Sequence, residues 1–285
     1  MSYDPLKDEL LLITGGLAPY DIPLVVGGGY GLLLRTEYLL ETRPRMRFDE
    51  ALIARSTEDL DLFLGLQIIT DAGKMGSIRD VLDRFGYRPK ARFFQFEKPI
   101  DLAGGERIVK VDLLAPRPVD GKQLRLVKIS LPRIRPIGAQ EIHAYLTEEA
   151  VTLDEHLIPI KLAGHDDVRT VFLPHPFTYL ILKLFALRDH LLKVDRSKAA
   201  EHAVDVYRTI GTITEPEWET ASELARKYAE NRVFKLTGSI VSSLFTDLNS
   251  PGPIEIYRSN GRTPAIESNV QIVIDDLRSL FLNAK

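Results

Sequence analysis

Asp59 and Asp61 are the residues of this chain best placed to do chemistry. One leucine separates them in Arg55-Ser56-Thr57-Glu58-Asp59-Leu60-Asp61, and Leu62-Phe63-Leu64 follows. On a strand, the period of two puts both carboxylates on one face and Leu60 and Leu62 on the other. Two carboxylates about 6 Å apart repel by about 3 kcal/mol at an effective dielectric of about 20. A cation between them relieves that cost, and hard Mg²⁺ favours carboxylates together with substrate phosphates. Upstream, Gly27-Gly28-Gly29-Tyr30-Gly31 follows the apolar Leu24-Val25-Val26. Glycines at a strand end let backbone amides approach a triphosphate; the plainer reading is a tight strand-to-helix turn that needs positive φ. An Asp pair after a glycine turn suits phosphoryl or nucleotidyl transfer.

Asp112 supplies a third acid. In Ile108-Val109-Lys110-Val111-Asp112-Leu113-Leu114 it interrupts an apolar strand, where an unpaired carboxylate is costly to bury. Three carboxylates from two adjacent strands would hold two metal ions, one activating an attacking hydroxyl and the other neutralising the departing pyrophosphate. Asp112 would also be the natural proton acceptor. The competing reading of Asp59 and Asp61 is a solvated acidic strand end. Lys183 and Asp205 are single charges within apolar helical segments, so each needs a partner or a cleft. They could pair with each other, or Lys183 could meet nucleotide phosphates with Asp205 orienting it. Thr57 caps a turn or contacts a phosphate, and Arg55 binds a phosphate or pairs with Glu58.

The elements that must position these residues are legible in part. Residues 5–18 read as a helix, 24–26 as a buried strand, 30–40 as a helix, and 60–64 as a second strand. Residues 78–85 are helical in pattern and stop at Gly86. Segments 92–96 and 108–114 read as strands about a turn at Gly104-Gly105, and 126–129 and 157–162 add two more. From Pro174-His175-Pro176 onward the pattern is helical: 177–193, 199–210, 216–230, 232–244 and 272–282. A strand-rich first half and a helical second half make an α+β protein: a mixed-sheet core with flanking helices over 1–168 and a helical bundle over 169–285.

Composition narrows the classes. With 45% hydrophobic and 27% charged residues the chain has ample core. Its net charge of −3 means that any polyanion would need a local basic surface. Basic clusters occur at Arg43, Arg45 and Arg47, at Arg84, Arg88, Lys90 and Arg92, and at Arg188, Lys193, Arg196 and Lys198. Such runs are usually solvated faces, although the last lies close to Lys183 and could form an RNA phosphate track. The absence of cysteine excludes disulfides and thiolate metal sites. The acidic start lacks a signal-peptide apolar run and no stretch is long enough to span a membrane, so a cytoplasmic protein is expected. The histidines have no zinc-type spacing.

The combination resembles the polymerase-β-type nucleotidyltransferase superfamily and, more narrowly, the AbiEii/MenT family of nucleotidyltransferase toxins. The resemblance runs over residues 24–207. It rests on the strand and glycines Val25–Gly31, on Arg55-Ser56-Thr57-Glu58-Asp59-Leu60-Asp61, on Asp112 in a Val-Asp-Leu strand, on Lys183-Leu184-Phe185-Ala186-Leu187, and on the helical Asp205. It departs from the superfamily in its long interval between Gly29 and Asp59, which requires an insertion around 41–54. Gly28-Gly29 is the preferred alignment of the glycine pair. The resemblance implies a nucleotidyltransferase core with a two-metal Mg²⁺ site on Asp59, Asp61 and Asp112. NTP would be held by Gly28, Gly29, Arg55, Thr57 and Lys183, with Asp205 behind the lysine. It further implies transfer of NMP to the 3′ end of tRNA, arrest of translation, and a cognate antitoxin. A small-molecule acceptor such as an aminoglycoside, a protein hydroxyl, and a non-catalytic binding or antitoxin module are the alternatives.

Overall fold

The computed structural model describes residues 4–48, 57, 59–90, 92–102, 105–164 and 168–283. Arg55, Ser56 and Glu58 of the acidic motif, and Gly104 of the expected turn, lie outside the described residues. The chain divides into two compact units, one of residues 1–35 and 55–174, the other of residues 36–54 and 175–285.

The first unit is an α+β layer. Helix α1 (Pro5–Leu17) starts where Asp4 accepts from the amides of Leu6 and Lys7, with proline in its first turn. Strand β1 (Val25–Val26) leads into α2 (Gly28–Thr42), and β2 (Asp59–Phe63) follows. Helices α3 (Leu66–Ile69) and α4 (Ala72–Arg84) precede β3 (Arg88–Pro89), β4 (Gln95–Leu102) and β5 (Gly105–Ala115). Then come α5 (Gly121–Leu124), β6 (Val127–Ser130), β7 (Arg133–Pro136), β8 (Ala144–Leu146), β9 (Ile158–Ala163) and β10 (Val168–Leu173). Among the described residues the strands form one ten-stranded sheet whose main path runs β6-β7-β8-β5-β2-β1-β10-β9, with the β4–β3 pair branching from β5. Its β1–β10, β2–β5 and β5–β8 pairs are parallel and the rest antiparallel.

One sheet face is apolar because the strand period demands it. Leu60, Leu62, Phe96, Val109, Val111 and Leu113 all point into a core that Leu10, Ile13 and Leu17 of α1 and Met75, Ile78 and Leu82 of α4 complete. The alternate residues of the same strands, including Asp59, Asp61, Gln95, Lys110 and Asp112, are therefore held on the other face.

The second unit comprises α6 (Pro176–Leu191), α7 (Ser197–Gly211), α8 (Glu215–Lys227), α9 (Arg232–Leu244), α10 (Pro251–Asn260) and α11 (Pro264–Phe281). Its core includes Phe177, Leu184, Tyr207, Phe234, Val273 and Phe281, with Phe48 against Tyr207 at 5.2 Å between ring centroids.

Several expectations need correction. Residues 92–94 are not strand, since Arg92 and Phe93 have φ of 78° and 57°, which an extended chain cannot adopt. Strands β7, β8 and β10 and helix α10 were not expected. Residues 36–54 cluster with the helical unit instead of the sheet, because Phe48 belongs to the helical core.

Candidate active site

Parallel pairing of β2 with β5 sets Asp61 directly opposite Asp112 and Asp59 opposite Lys110. On the far side of β5, Gln95 of β4 lies opposite Asp112. Adjacent strands are about 4.8 Å apart, so Asp61 and Asp112 are next neighbours on one face.

The glycines close the site from the other side. The Gly27 amide donates to the Asp61 carbonyl at 2.8 Å, tying the end of β1 to β2. Gly28, with φ of 59°, is left-handed, and a Cβ on it would stand 1.7 Å from Asp61 Oδ2. A Cβ on Gly27 would stand 2.3 Å from the Phe63 ring. Both the turn and the close approach therefore require glycine, and the Asp61 carboxylate lies in the space that the missing side chain leaves. Gly29 follows in the buried first turn of α2. Next to it Tyr30 donates its hydroxyl to Asp4 Oδ2 at 2.7 Å, which ties the start of α2 to the start of α1. Thr57 accepts the Asp59 amide at 3.4 Å, which is its turn-capping role.

The electrostatics are those of acids short of counter-charge. One oxygen each of Asp59 and Asp112 is shielded from water with no hydrogen-bond partner. Burial, foremost, lifts the Asp112 pKa above the ordinary carboxylate range; Gln95 pulls it down by hydrogen bonding, and the charge of Asp59 raises it further. Lys110 Nζ stands 3.6 Å from Asp59 Oδ1 and is the nearby cation. Among the described residues no three or more His, Asp or Glu side chains come together as a ready metal cage. Of the three acids, the register sets Asp61 opposite Asp112, and Asp59 lies opposite Lys110.

Compared with protein-family models and with curated proteins, the chain matches none.

Lys183 on α6 and Asp205 on α7 pair with each other at 2.7 Å, with side chains 8% and 2% exposed. The structural alternative for these two charges is therefore real. Lys183→Met is expected to cost about 3–5 kcal/mol in urea unfolding, because it strands a buried carboxylate. Adding Asp205→Leu should return most of that loss. A single-variant loss below about 1 kcal/mol, the range of exposed pairs, would show that the pair does not hold the helices.

Lys110 and Gln95 are site residues that sequence reasoning passed over. Lys110 was readable, since it alternates with Asp112 along β5; Gln95 depends on the β4–β5 register and had no local signal.

A pH dependence follows from Asp112. A carboxyl whose folded pKa is raised binds more protons folded than unfolded. Its contribution to stability is therefore full at low pH and lost as pH rises from the ordinary carboxylate value through the raised one. Asp112→Asn, assayed by thermal unfolding with chelator present, is expected to unfold at a higher temperature than wild type at neutral pH. The gap should close as the pH falls below the ordinary carboxylate range. A constant gap at all pH values would assign the effect to packing.

Proposed function

We propose that this chain is a Mg²⁺-dependent nucleotidyltransferase that moves a nucleoside monophosphate from NTP to an RNA acceptor, the 3′ end of tRNA, as the toxin of a toxin–antitoxin pair. The observation that carries the enzymatic part is Asp61 opposite Asp112 on parallel strands, with Gly28 closed against the Asp61 carboxylate. The Asp112 oxygen that is shielded from water with no hydrogen-bond partner fits a divalent cation chemically, and Asp59 Oδ1 already faces a cation, Lys110 Nζ at 3.6 Å. The acceptor and the antitoxin rest on the resemblance of the motifs alone.

In this reading Asp59 and Asp61 would hold the metal, and Asp112 would bind it too or act as the base. Bound Mg²⁺ would supply Lewis-acid stabilisation of the phosphoryl oxygens. The acceptor hydroxyl attacks the α-phosphorus, the bond to the β-phosphate oxygen breaks, and pyrophosphate departs. Where Asp112 acts as the base, it takes the hydroxyl proton. The Gly28 and Gly29 amides, the Thr57 hydroxyl and Arg55 hold the triphosphate; that Lys183, paired with Asp205 at 2.7 Å, joins them rests on the resemblance alone.

The test is purified protein with Mg²⁺, labelled NTPs and total tRNA. Labelled tRNA is expected, and none with any NTP would sink the proposal. Growth arrest on expression, relieved by a co-encoded partner, addresses the toxin role separately.

A further inference from the structure

Some of the basic residues that stand out in the sequence are paired in the fold. Lys90 pairs with Glu97 at 2.6 Å, Arg188 with Asp189 at 2.7 Å, and Arg47 makes a two-pronged bond to Asp276 at 2.7 and 3.0 Å. A different cationic group is left uncompensated, in a cleft of about 200 Å³ lined by Lys128, Ser130, Arg133, Arg135 and His143. Strand alternation assembles it: Val127, Ile134 and Pro136 are buried on one face, which forces Lys128, Ser130, Arg133 and Arg135 onto the other. The hairpin register then sets Lys128 opposite Arg135 and Ser130 opposite Arg133. Like charges directly opposite across strands are destabilising. Among the described residues neither Lys128 nor Arg133 has a carboxylate within ion-pair distance.

The cleft is built as well as charged. The Arg135 guanidinium is fastened to the Ala139 carbonyl, and His143 Nδ1 is 2.7 Å from the Arg92 carbonyl. A carbonyl only accepts, so Nδ1 carries a proton; Nε2 donates to an anion in the cleft when the ring is protonated. Burial, with the charges of Arg133 and Arg135 adding to it, lowers the His143 pKa against the opposing Arg92 bond. An anion in the cleft would relieve that cationic crowding.

Aromatic rings stand beside it. Phe93 meets His143 edge-on at 5.9 Å between centroids, and Phe94 meets Tyr145 at 5.5 Å, with Tyr145 41% exposed. Cross-strand register links this region to the acids: Arg133 lies opposite Tyr145, Tyr145 opposite Leu114, and Leu114 shares the face of Asp112. Two strand spacings and two residues of rise put Arg133 about 12 Å from Asp112, Cα to Cα. Phosphate-binding cations interleaved with exposed rings are what single-stranded nucleic acid uses.

We infer that the β6–β7–β8 cleft binds a backbone phosphate of single-stranded RNA, which then runs over Tyr145 toward Asp61 and Asp112. That this RNA is the acceptor rests on the nucleotidyltransferase reading; that the cleft binds it does not. The experiment is fluorescence anisotropy of a short labelled single-stranded RNA with the full chain, without Mg²⁺ or NTP. Lys128→Glu and Arg133→Glu should each weaken binding about tenfold or more and reduce the slope of log affinity against log salt by about 0.7 per lost contact. Thermal unfolding reports on folding, and exposed Lys128 keeps the test usable if Arg133→Glu does not fold. Equal RNA affinity in wild type and Lys128→Glu overturns the inference. So does displacement of the RNA by free NTP in the Asp61→Asn chain, which assigns the cleft to a triphosphate. RNA binding that depends on Lys128 in a protein that transfers no nucleotide would leave the inference standing and remove the enzymatic proposal.

Discussion

Asp61→Asn is expected to lower nucleotidyl transfer by about a thousandfold or more. Asp61 lies opposite Asp112, and its carboxylate occupies the space beside Gly28. Asparagine keeps the shape but removes the charge that attracts a divalent cation. Metal-ion stabilisation of developing phosphoryl charge amounts to several kcal/mol, and each 1.36 kcal/mol is tenfold in rate. Because the shape is kept, loss of activity need not follow loss of fold. Transfer kinetics, Mg²⁺ binding by calorimetry and thermal unfolding should be followed together. A variant within tenfold of wild-type activity would remove Asp61 from the reaction.

Gly28→Ala should damage the same site by another route. Alanine at φ of 59° costs about 1 kcal/mol or more, and its Cβ would overlap Asp61 Oδ2 at 1.7 Å. Overpacking of that kind adds about 1–3 kcal/mol. The chain is expected to lose about 2–4 kcal/mol of stability in denaturant and, because the carboxylate must move, most of its transfer activity. Gly76 is the control. It lies inside α4 with nothing within 4 Å of an added Cβ, so Gly76→Ala should gain about 0.5–1 kcal/mol from helix preference with activity unchanged. Equal behaviour of the two variants would mean that Gly28 is not shaped around Asp61.

These two expectations draw on different levels of the chain. That Asp59 and Asp61 share a face and that Leu60 and Leu62 share the opposite one was readable locally, because the strand period is a property of a few residues of backbone. The helix starts at Asp4-Pro5 and at His175-Pro176 were readable for the same reason: capping and proline geometry act within one turn. Arg92 and Phe93 misled because an aromatic-rich neighbourhood looks extended, whereas both have positive φ where the His143 amide donates to the Phe93 carbonyl. Short β7 and β8 carry no pattern long enough to detect, and both take their place only by pairing with neighbours.

Contacts between strands distant in the chain answer to a different physics. The facing of Asp61 and Asp112, the turn of Lys110 toward Asp59, and the meeting of Lys128 with Arg135 all depend on which strands become neighbours and in what register. Burial of the apolar face under α1 and α4 settles that register, since a slip of one residue would drive every carboxylate into the core. The same cause explains why Arg47, Lys90 and Arg188 ended in ion pairs while an inconspicuous hairpin set Lys128 opposite Arg135. Composition along the chain records how many charges there are; packing in three dimensions determines which of them meet an opposite.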